Sequence, residues 1–243
     1  MSLKCIKIAV ASLALIGLGT ACDEPRDLRT ETRTVALDGA DRAEIVLNMG
    51  AGELRVRAAD QDALLEASFE FNRERNRPEV DYSVFGGKGR LQVRHPRRRG
   101  ISIGTTRNTW DLRLSRAVPL ELDIDLGAGR NELDLRGLKI ERLTIDMGVG
   151  EVLLDLQGPH ERSFDVRIDG GIGSAKVRLP AEVGVKVRVD GGLGSVDARG
   201  LTKTGGAYVN EAYGRSPVTI EVDVDAGIGS LELRCDPSPE IKI

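Results

Sequence analysis

A short glycine-containing phrase recurs through the C-terminal half of the chain and constrains its fold more than any other feature. The phrase centres on Gly-x-Gly, as in IDMGVGEVLLDL, RIDGGIGSAKVRL and VDAGIGSLELR, and the first four copies are spaced by 21, 23 and 21 residues. A more distant copy, LNMGAGELRV, contains Gly50. Self-similarity at such a period is the signature of a stacked-repeat fold. The paired glycines are Gly127 and Gly129, Gly148 and Gly150, Gly171 and Gly173, Gly192 and Gly194, and Gly227 and Gly229.

Apolar and charged side chains alternate on both sides of each Gly-x-Gly, as Val185, Val187 and Val189 do against Lys186 and Arg188. Alternation with a period of two predicts a strand with one buried and one solvated face. A unit of about 21 residues is too short for a βαβ crossover, which needs roughly 30. The pattern therefore predicts an all-β, single-stranded β-solenoid over residues 110–243, in which each coil pairs with the coils above and below.

The predicted core is a set of aliphatic ladders, which suits a chain with only 3% aromatic residues. Burying each such side chain stabilises the fold by roughly 1.5–3 kcal/mol. The middle residues of the Gly-x-Gly copies, such as Val149 and Ile172, are expected to turn inward at a corner. The flanking glycines are expected to adopt conformations that a Cβ would forbid. One predicted ladder consists of Ile124, Ile145, Ile168, Val189 and Val224.

The N-terminal residues predict export and lipid attachment. Lys4 and Lys7 precede a short apolar run that ends in Leu-Gly-Thr-Ala-Cys, so residues 1–21 read as a signal peptide and Cys22 as a lipidation site. Ordinary secretory cleavage is the alternative. Residues 22–33 are polar and are expected to form a tether, which places the protein at the extracytoplasmic face of the cell membrane, periplasmic or external. Only Cys22 and Cys235 would remain in the mature chain, so no disulfide framework is expected.

Residues 34–109 show a β pattern that is irregular, and we expect them to start the stack. A separate N-terminal subdomain is the alternative. Within this region, residues 73–107 form a basic stretch that includes Arg97, Arg98 and Arg99. These arginines are candidates for contact with anionic lipid headgroups or an acidic wall polymer. The alternative is a solvated loop whose charges protect a strand edge from pairing.

The ordered series WDLRL, VPLELDIDLGAG, LDLRGL and LTIDMGVG resembles the toastrack domain of adhesin-like and LiaF-like bacterial envelope proteins. The resemblance extends from about Trp110 to Arg234, and more loosely back to Thr34. It implies an all-β, solenoid-like fold at the cell envelope, and it implies no shared catalytic residues. LiaF-like members regulate envelope-stress signalling and carry transmembrane helices ahead of this domain.

One repeat is lengthened by an insert at residues 200–217, since Gly192 and Gly227 are 35 residues apart. Insertions into solenoid coils usually map to one face, often the face that binds. Its side chains suit stacking on a sugar or contact with a protein. The alternative is that the two tyrosines only pack the insert against its coil. The candidate binding residues are Tyr208, Asn210, Tyr213 and Arg215.

Several kinds of chemistry are disfavoured by the residues. The Gly-x-Gly copies lack the third glycine and the following helix of a dinucleotide site, and no Walker lysine-serine pair is present, so no nucleotide is expected. The repeats also lack the aspartate of calcium-binding nonapeptides, and no metal or other cofactor is expected. The formal net charge of −3, together with the export signal, argues against nucleic acid.

An outward column of aspartates is the remaining candidate for chemistry, and it consists of Asp125, Asp146, Asp169, Asp190 and Asp225. It could hold a cation or act as catalytic acids, as in β-helical lyases. The simpler interpretation is that each carboxylate accepts backbone N–H groups at its own corner, with Arg167 and Arg188 as counter-charges. The sequence thus favours a non-catalytic envelope lipoprotein that binds a protein or glycan, with a carbohydrate-active enzyme or a structural spacer as alternatives.

Overall fold

The computed structural model describes residues 28–96, 107–192 and 194–237. The described part is all-β apart from one short 3-10 helix, Glu74–Asn76, and the expected fold class is confirmed. The strands are β1 Arg29–Ala36, β2 Arg42–Ala59, β3 Ala63–Phe71, β4 Glu79–Phe85, β5 Lys88–Arg94, β6 Asn108–Ser115, β7 Leu120–Asp134, β8 Ile140–Asp155, β9 Phe164–Pro180, β10 Gly184–Gly191, β11 Gly194–Arg199, β12 Thr202–Thr204, β13 Ala207–Val209 and β14 Thr219–Asp236. No helix among these residues is long and apolar enough to cross a membrane.

Each long strand has its Gly-x-Gly in the middle. On passing the glycines, the set of alternate residues that points to the core changes from odd to even numbers or the reverse. In β8 the buried residues are Leu143, Ile145 and Met147 before the glycines, and Val152 and Leu154 after them. Because side chains alternate along a strand, a switch from odd to even positions marks a corner. Both halves contribute to one hydrophobic cluster, so the stack consists of two layers around a common core.

We call the halves before the glycines the front layer and the halves after them the back layer. The front layer has the order β4-β5-β2-β7-β8-β9-β14-β10-β13-β12. The back layer has the order β1-β3-β6-β2-β7-β8-β9-β14-β11. The long strands pair in parallel and in register, which is the arrangement expected for stacked coils.

The predicted aliphatic ladder is present in the front layer but its order differs from the order along the chain. Ile124, Ile145 and Ile168 are neighbours, and Val224 then lies between Ile168 and Val189. The last strand of the chain therefore inserts between β9 and β10. The repeat alone predicts that coils stack in the order of the chain, so the position of β14 between β9 and β10 was not expected.

The glycines form two ladders through the stack because neighbouring coils approach closely at the corner. A Cβ would collide with the carbonyl oxygen of the equivalent glycine in a neighbouring coil at Gly127, Gly129, Gly148, Gly150, Gly171, Gly173, Gly194, Gly227 and Gly229. The inward placement predicted for the middle residues is wrong for Val149 and Ile172, which are 52% and 53% exposed. The corner is thus kept narrow by backbone-to-backbone contact, and its middle side chain points to solvent.

The N-terminal region caps the stack in both layers. Strands β5 and β4 extend the front layer beyond β2, while β6, β3 and β1 extend the back layer. Trp110 and Phe69 pack edge to face there, with ring centroids 5.6 Å apart. Strand β1 begins at Arg29 and pairs with β3, so it overlaps the last residues of the stretch 22–33 that was predicted as a tether.

Candidate functional site

A cleft of about 220 Å³ opens at the C-terminal end of the stack, beside the glycine corner. Its inner wall is apolar and includes Met147, Ile168, Val189 and Leu231, while Asp190 lies among its polar lining residues. The remaining lining is largely glycine backbone from β9, β10, β11 and β14.

The cleft exists because one column of the stack loses its side chains. The residue just before each Gly-x-Gly occupies a single register position, and the column runs through β2, β7, β8, β9, β14 and β10. Its members in that order are Met49, Leu126, Met147, Gly170, Ala226 and Gly191. Large residues thus fill the corner in β2, β7 and β8, whereas Gly170 in β9 and Gly191 in β10 leave it open. A Cβ on Gly170 would lie 3.8 Å from Cε of Met147, which is ordinary contact, so this position can accept a side chain.

The insert contributes one wall of the cleft through the hairpin formed by β12 and β13. Tyr208 lies opposite Val187, and Lys203 lies opposite Tyr208. Val187 is fully buried, and paired residues share a face, so Tyr208 points to the inner side of the front layer. The Lys203 ammonium lies 5.3 Å from the centroid of the Tyr208 ring, and both residues line the cleft.

The other candidate residues of the insert do not join Tyr208 in one cluster. Tyr213 packs under Lys186, whose ammonium is 5.7 Å from its ring centroid. Lys186 precedes the inward-facing Val187, so Tyr213 lies against the outer side of the front layer. Arg215 is exposed on the turn that follows. A single Tyr-Asn-Tyr-Arg contact face is therefore not formed.

Asn210 was a candidate contact residue and the structure places it inside the fold instead. It is 8% exposed, and its amide donates to the carbonyl of Val183 at 2.7 Å and accepts from the backbone N–H of Val185 at 2.9 Å. A weaker bond reaches the carbonyl of Ala181 at 3.4 Å. These bonds fix the chain after β13 to the start of β10, so the amide is not available to a ligand.

Two predicted sites lie outside the described residues, namely Cys22 and the arginines Arg97, Arg98 and Arg99. The other predicted corner glycines make the close backbone contacts of the ladder. No such contact is described for Gly192, which precedes Leu193, a residue outside the described part of the chain.

The aspartate column is present and continues into β2 as Asn48. The register brings together Asn48, Asp125, Asp146, Asp169, Asp225 and Asp190 in that order. Asn48 donates to the Asp125 carboxylate at 2.6 Å, and the Arg167 guanidinium donates to Asp169 at 2.8 Å. Arg188, expected as a second counter-charge, pairs instead with Glu221 and Asp223.

The central aspartates have pKa values displaced in opposite directions. Loss of hydration raises the pKa of Asp146, and the nearby carboxylates of Asp169, Asp123 and Asp125 raise it further. The hydrogen bond from Arg167 lowers the pKa of Asp169. Two carboxyl groups in such environments can share a proton. In the described part of the chain, no group of three or more ligating side chains could hold a metal ion.

Comparison with known proteins finds a match to a family model and a similar solved structure. The family model described as the N-terminal domain of toast_rack, DUF2154, matches residues 24–178. The structure of a provisionally named cell adhesion protein from Clostridium sporogenes is similar with a TM-score of 0.80 and 30% identity. That match covers 86% of this chain and 100% of the other.

The structure of a provisionally named adhesin from Bacteroides fragilis matches with a TM-score of 0.35 and 12% identity over 86% of this chain and 97% of the other. No curated protein matches the sequence.

Proposed function

Because the chain belongs to the toastrack family, we propose that it is a non-catalytic binding module of the cell envelope, of adhesin type. The similar structure from Clostridium sporogenes carries the name of a cell adhesion protein, and that supports the proposal. The ligand is a protein or glycan of an envelope, and the membrane is reached through a lipid on Cys22.

The observation that carries the proposal is the position of the cleft relative to the proposed anchor. Cys22 precedes Leu28 by six residues, a reach of at most about 20 Å. Strand β1 starts one residue later at one end of the back layer, and β11 lies eight strand spacings away at the other end. At about 4.8 Å per spacing the two ends are separated by about 38 Å. An anchored chain would therefore present the cleft away from its own membrane, where it can meet a ligand.

The lining of the cleft supports binding rather than chemistry. Tyr208 offers a rigid aromatic surface, and Lys203 and Asp190 place opposite charges near an apolar wall. Aromatic anchors in a partly desolvated pocket typically carry most of the energy of a contact. Neither histidine lies in this lining, since His95 follows β5 and His160 follows β8.

A carbohydrate-active enzyme is the second candidate, because the pKa values of Asp146 and Asp169 are displaced in opposite directions. A carboxylic acid beside a carboxylate is the pair that glycoside hydrolysis uses. Only Asp190 of the column lines the cleft, so this chemistry would use a different surface.

Cells that display the full chain test the two candidates. Their retention on surfaces coated with envelope polysaccharide or envelope protein is measured for the wild type, Tyr208→Ala and Tyr213→Ala. We expect Tyr208→Ala to lose retention and Tyr213→Ala to keep it, because only Tyr208 lines the cleft. Equal retention of all three chains would contradict the proposal. Release of soluble sugar that disappears in Asp146→Asn with Asp169→Asn would establish the enzyme instead.

A further inference from the structure

The two layers of the stack end at different places near the cleft. The front layer continues beyond β10 with β13 and β12, whereas the back layer ends at β11. At the N-terminal end both layers are extended, by β5 and β4 in front and by β6, β3 and β1 behind. The described residues thus leave the strand position next to β11, beneath the β12–β13 hairpin, uncovered.

Strand β11 has the properties of an acceptor for another strand. Among the described residues it pairs only with β14, and nearly all of it is exposed. Val196 and Ala198 lie opposite Leu231 and Leu233, which are buried, so these two residues face the core side. Val196 is nevertheless 39% exposed, because nothing described covers that side of it.

We propose that the free edge of β11 and the adjoining cleft form a site for β-strand addition, which takes one extended segment of a partner protein. The proposal rests on the binding function proposed above and names its ligand class. In this mode main-chain hydrogen bonds supply affinity and pockets for alternate side chains supply specificity. The segment would alternate apolar and polar residues over about six positions, the length of β11.

The size of the cleft favours side chains of such a segment over a free small molecule or a sugar chain. Its volume of about 220 Å³ lies below the 300–1,000 Å³ that is usual for small-molecule sites. Sheets pack roughly 10 Å apart, so the inward side chains of an added strand would reach the space beneath Tyr208 and Lys203. One or two aliphatic side chains would fill the volume that Gly170 and Gly191 leave open.

A second copy of this chain does not fit the same position. Antiparallel pairing of two β11 strands requires a two-fold axis perpendicular to the back layer, which places both front layers on one side. The overhanging β12–β13 hairpin of one copy would then occupy the volume of the front layer of the other copy. A single strand with no second layer of its own avoids this collision.

The last described residues of the chain, Asp236 and Pro237, make their side-chain contacts on the opposite side of β14 from the free edge. The Gln157 amide donates to the carbonyls of Asp236 and Pro237 at 3.3 and 3.5 Å. Gln157 follows β8, and β8 and β11 lie on different sides of β14 in the back layer. The last described residues of the chain therefore lie on the side of β14 away from the free edge.

A library of seven-residue peptides displayed on phage and selected against the full chain tests the proposal. We expect the enriched sequences to alternate apolar and polar residues and to lack proline. Methylation of alternate backbone nitrogens in a synthetic version should abolish binding for one set of positions and spare it for the other. Enrichment of no peptide, or of peptides whose binding tolerates methylation at every position, would overturn strand addition.

A variant that fills the cleft gives the second measurement. Gly170→Met places at this position the side chain that Met49 and Met147 already carry in the same column, where a Cβ makes only ordinary contacts and the backbone is not left-handed. We expect the variant to keep the thermal stability of the wild type and to bind the selected peptide at least tenfold more weakly. Tyr213→Ala, on the outer side, should bind as the wild type does. Equal affinity of Gly170→Met would overturn the placement of the segment in the cleft.

Two further outcomes would show that something other than a partner segment occupies the edge of β11. If removal of residues 238–243 increases peptide affinity tenfold or more, the tail covers the edge and the partner segment is refuted. If the full chain sediments as a dimer that Val196→Lys dissociates, the occupant is a second copy. If no peptide binds the chain but Tyr208→Ala still abolishes cell retention, strand addition is refuted and the proposed binding function is retained.

Discussion

Neighbouring coils touch backbone to backbone along the glycine ladder, so a side chain added there should destabilise the fold. A Cβ on Gly148 would lie 2.4 Å from the carbonyl oxygen of Gly127, and its backbone conformation is one that other residues adopt. Gly150→Ala would add strain, because its φ is +143° and its Cβ would lie 2.0 Å from the carbonyl oxygen of Gly129. Gly214 has a φ of +75° with nothing within 4 Å, so it isolates the cost of the backbone conformation alone.

The expected loss of stability in each variant follows from its contact distance and its φ. Gly214→Ala should cost about 1 kcal/mol, the usual cost of a left-handed conformation with a Cβ. Gly148→Ala must push β7 and β8 apart by close to 1 Å, which weakens ladder hydrogen bonds and the packing beside them, and we expect about 3 kcal/mol. Gly150→Ala combines both effects and should cost about 4 kcal/mol or more. Such a loss is a large share of the roughly 5–15 kcal/mol that stabilises a domain.

Urea unfolding followed by circular dichroism measures all three variants against the wild type. The expected order of stability is wild type, Gly214→Ala, Gly148→Ala and Gly150→Ala, the last being least stable. The reasoning would be refuted if Gly148→Ala unfolded within about 1 kcal/mol of the wild type, because the predicted collision involves backbone atoms that cannot rotate away.

Three further predictions concern single side chains. Asp146→Asn should stabilise the fold at pH 7 by up to about 1 kcal/mol in low salt. Because the pKa of Asp146 is raised in the folded state, the wild type loses stability as the pH rises from 3.8 through the folded pKa. The advantage of Asp146→Asn over the wild type should therefore vanish below pH 4 in urea titrations. Asn210→Ala should cost about 2–3 kcal/mol in the same assay, since the Val185 N–H loses its acceptor in the core. Burial raises the pKa of the Cys235 thiol to about 11, so a disulfide reagent at pH 8 should label it only after unfolding, and rapid native labelling would contradict that burial.

Much of the architecture could be predicted from the repeat because its signals are local. Alternation around each Gly-x-Gly predicts which side chains are buried, and Ile124, Ile145 and Ile168 do stack in register. The middle residues were misplaced for a local reason. An apolar residue such as Val149 between two glycines suggests burial, yet the glycine carbonyls pack so tightly that the corner leaves no interior volume for it.

The candidate site was only partly predictable. The insert was identified by its length and its tyrosines, but the faces to which Tyr208 and Tyr213 point depend on the pairing of β13 with β10. The signal for the cleft is visible in the letters, where Met49, Leu126 and Met147 give way to glycine or alanine before the later glycine pairs. It acquires meaning only when the register shows that these positions are neighbours.

The sequence by itself determined the repeating unit, the corners and the composition of the core, because strand alternation and glycine corners depend on residues close together in the chain. The tertiary structure alone decided the order of the coils, the insertion of β14 between β9 and β10, and the uncovered edge of β11. Equivalent coils present nearly equivalent edges, so local sequence distinguishes poorly among their possible neighbours. Which edges become paired, and which remain free to bind, is settled by packing between segments that are distant in the chain.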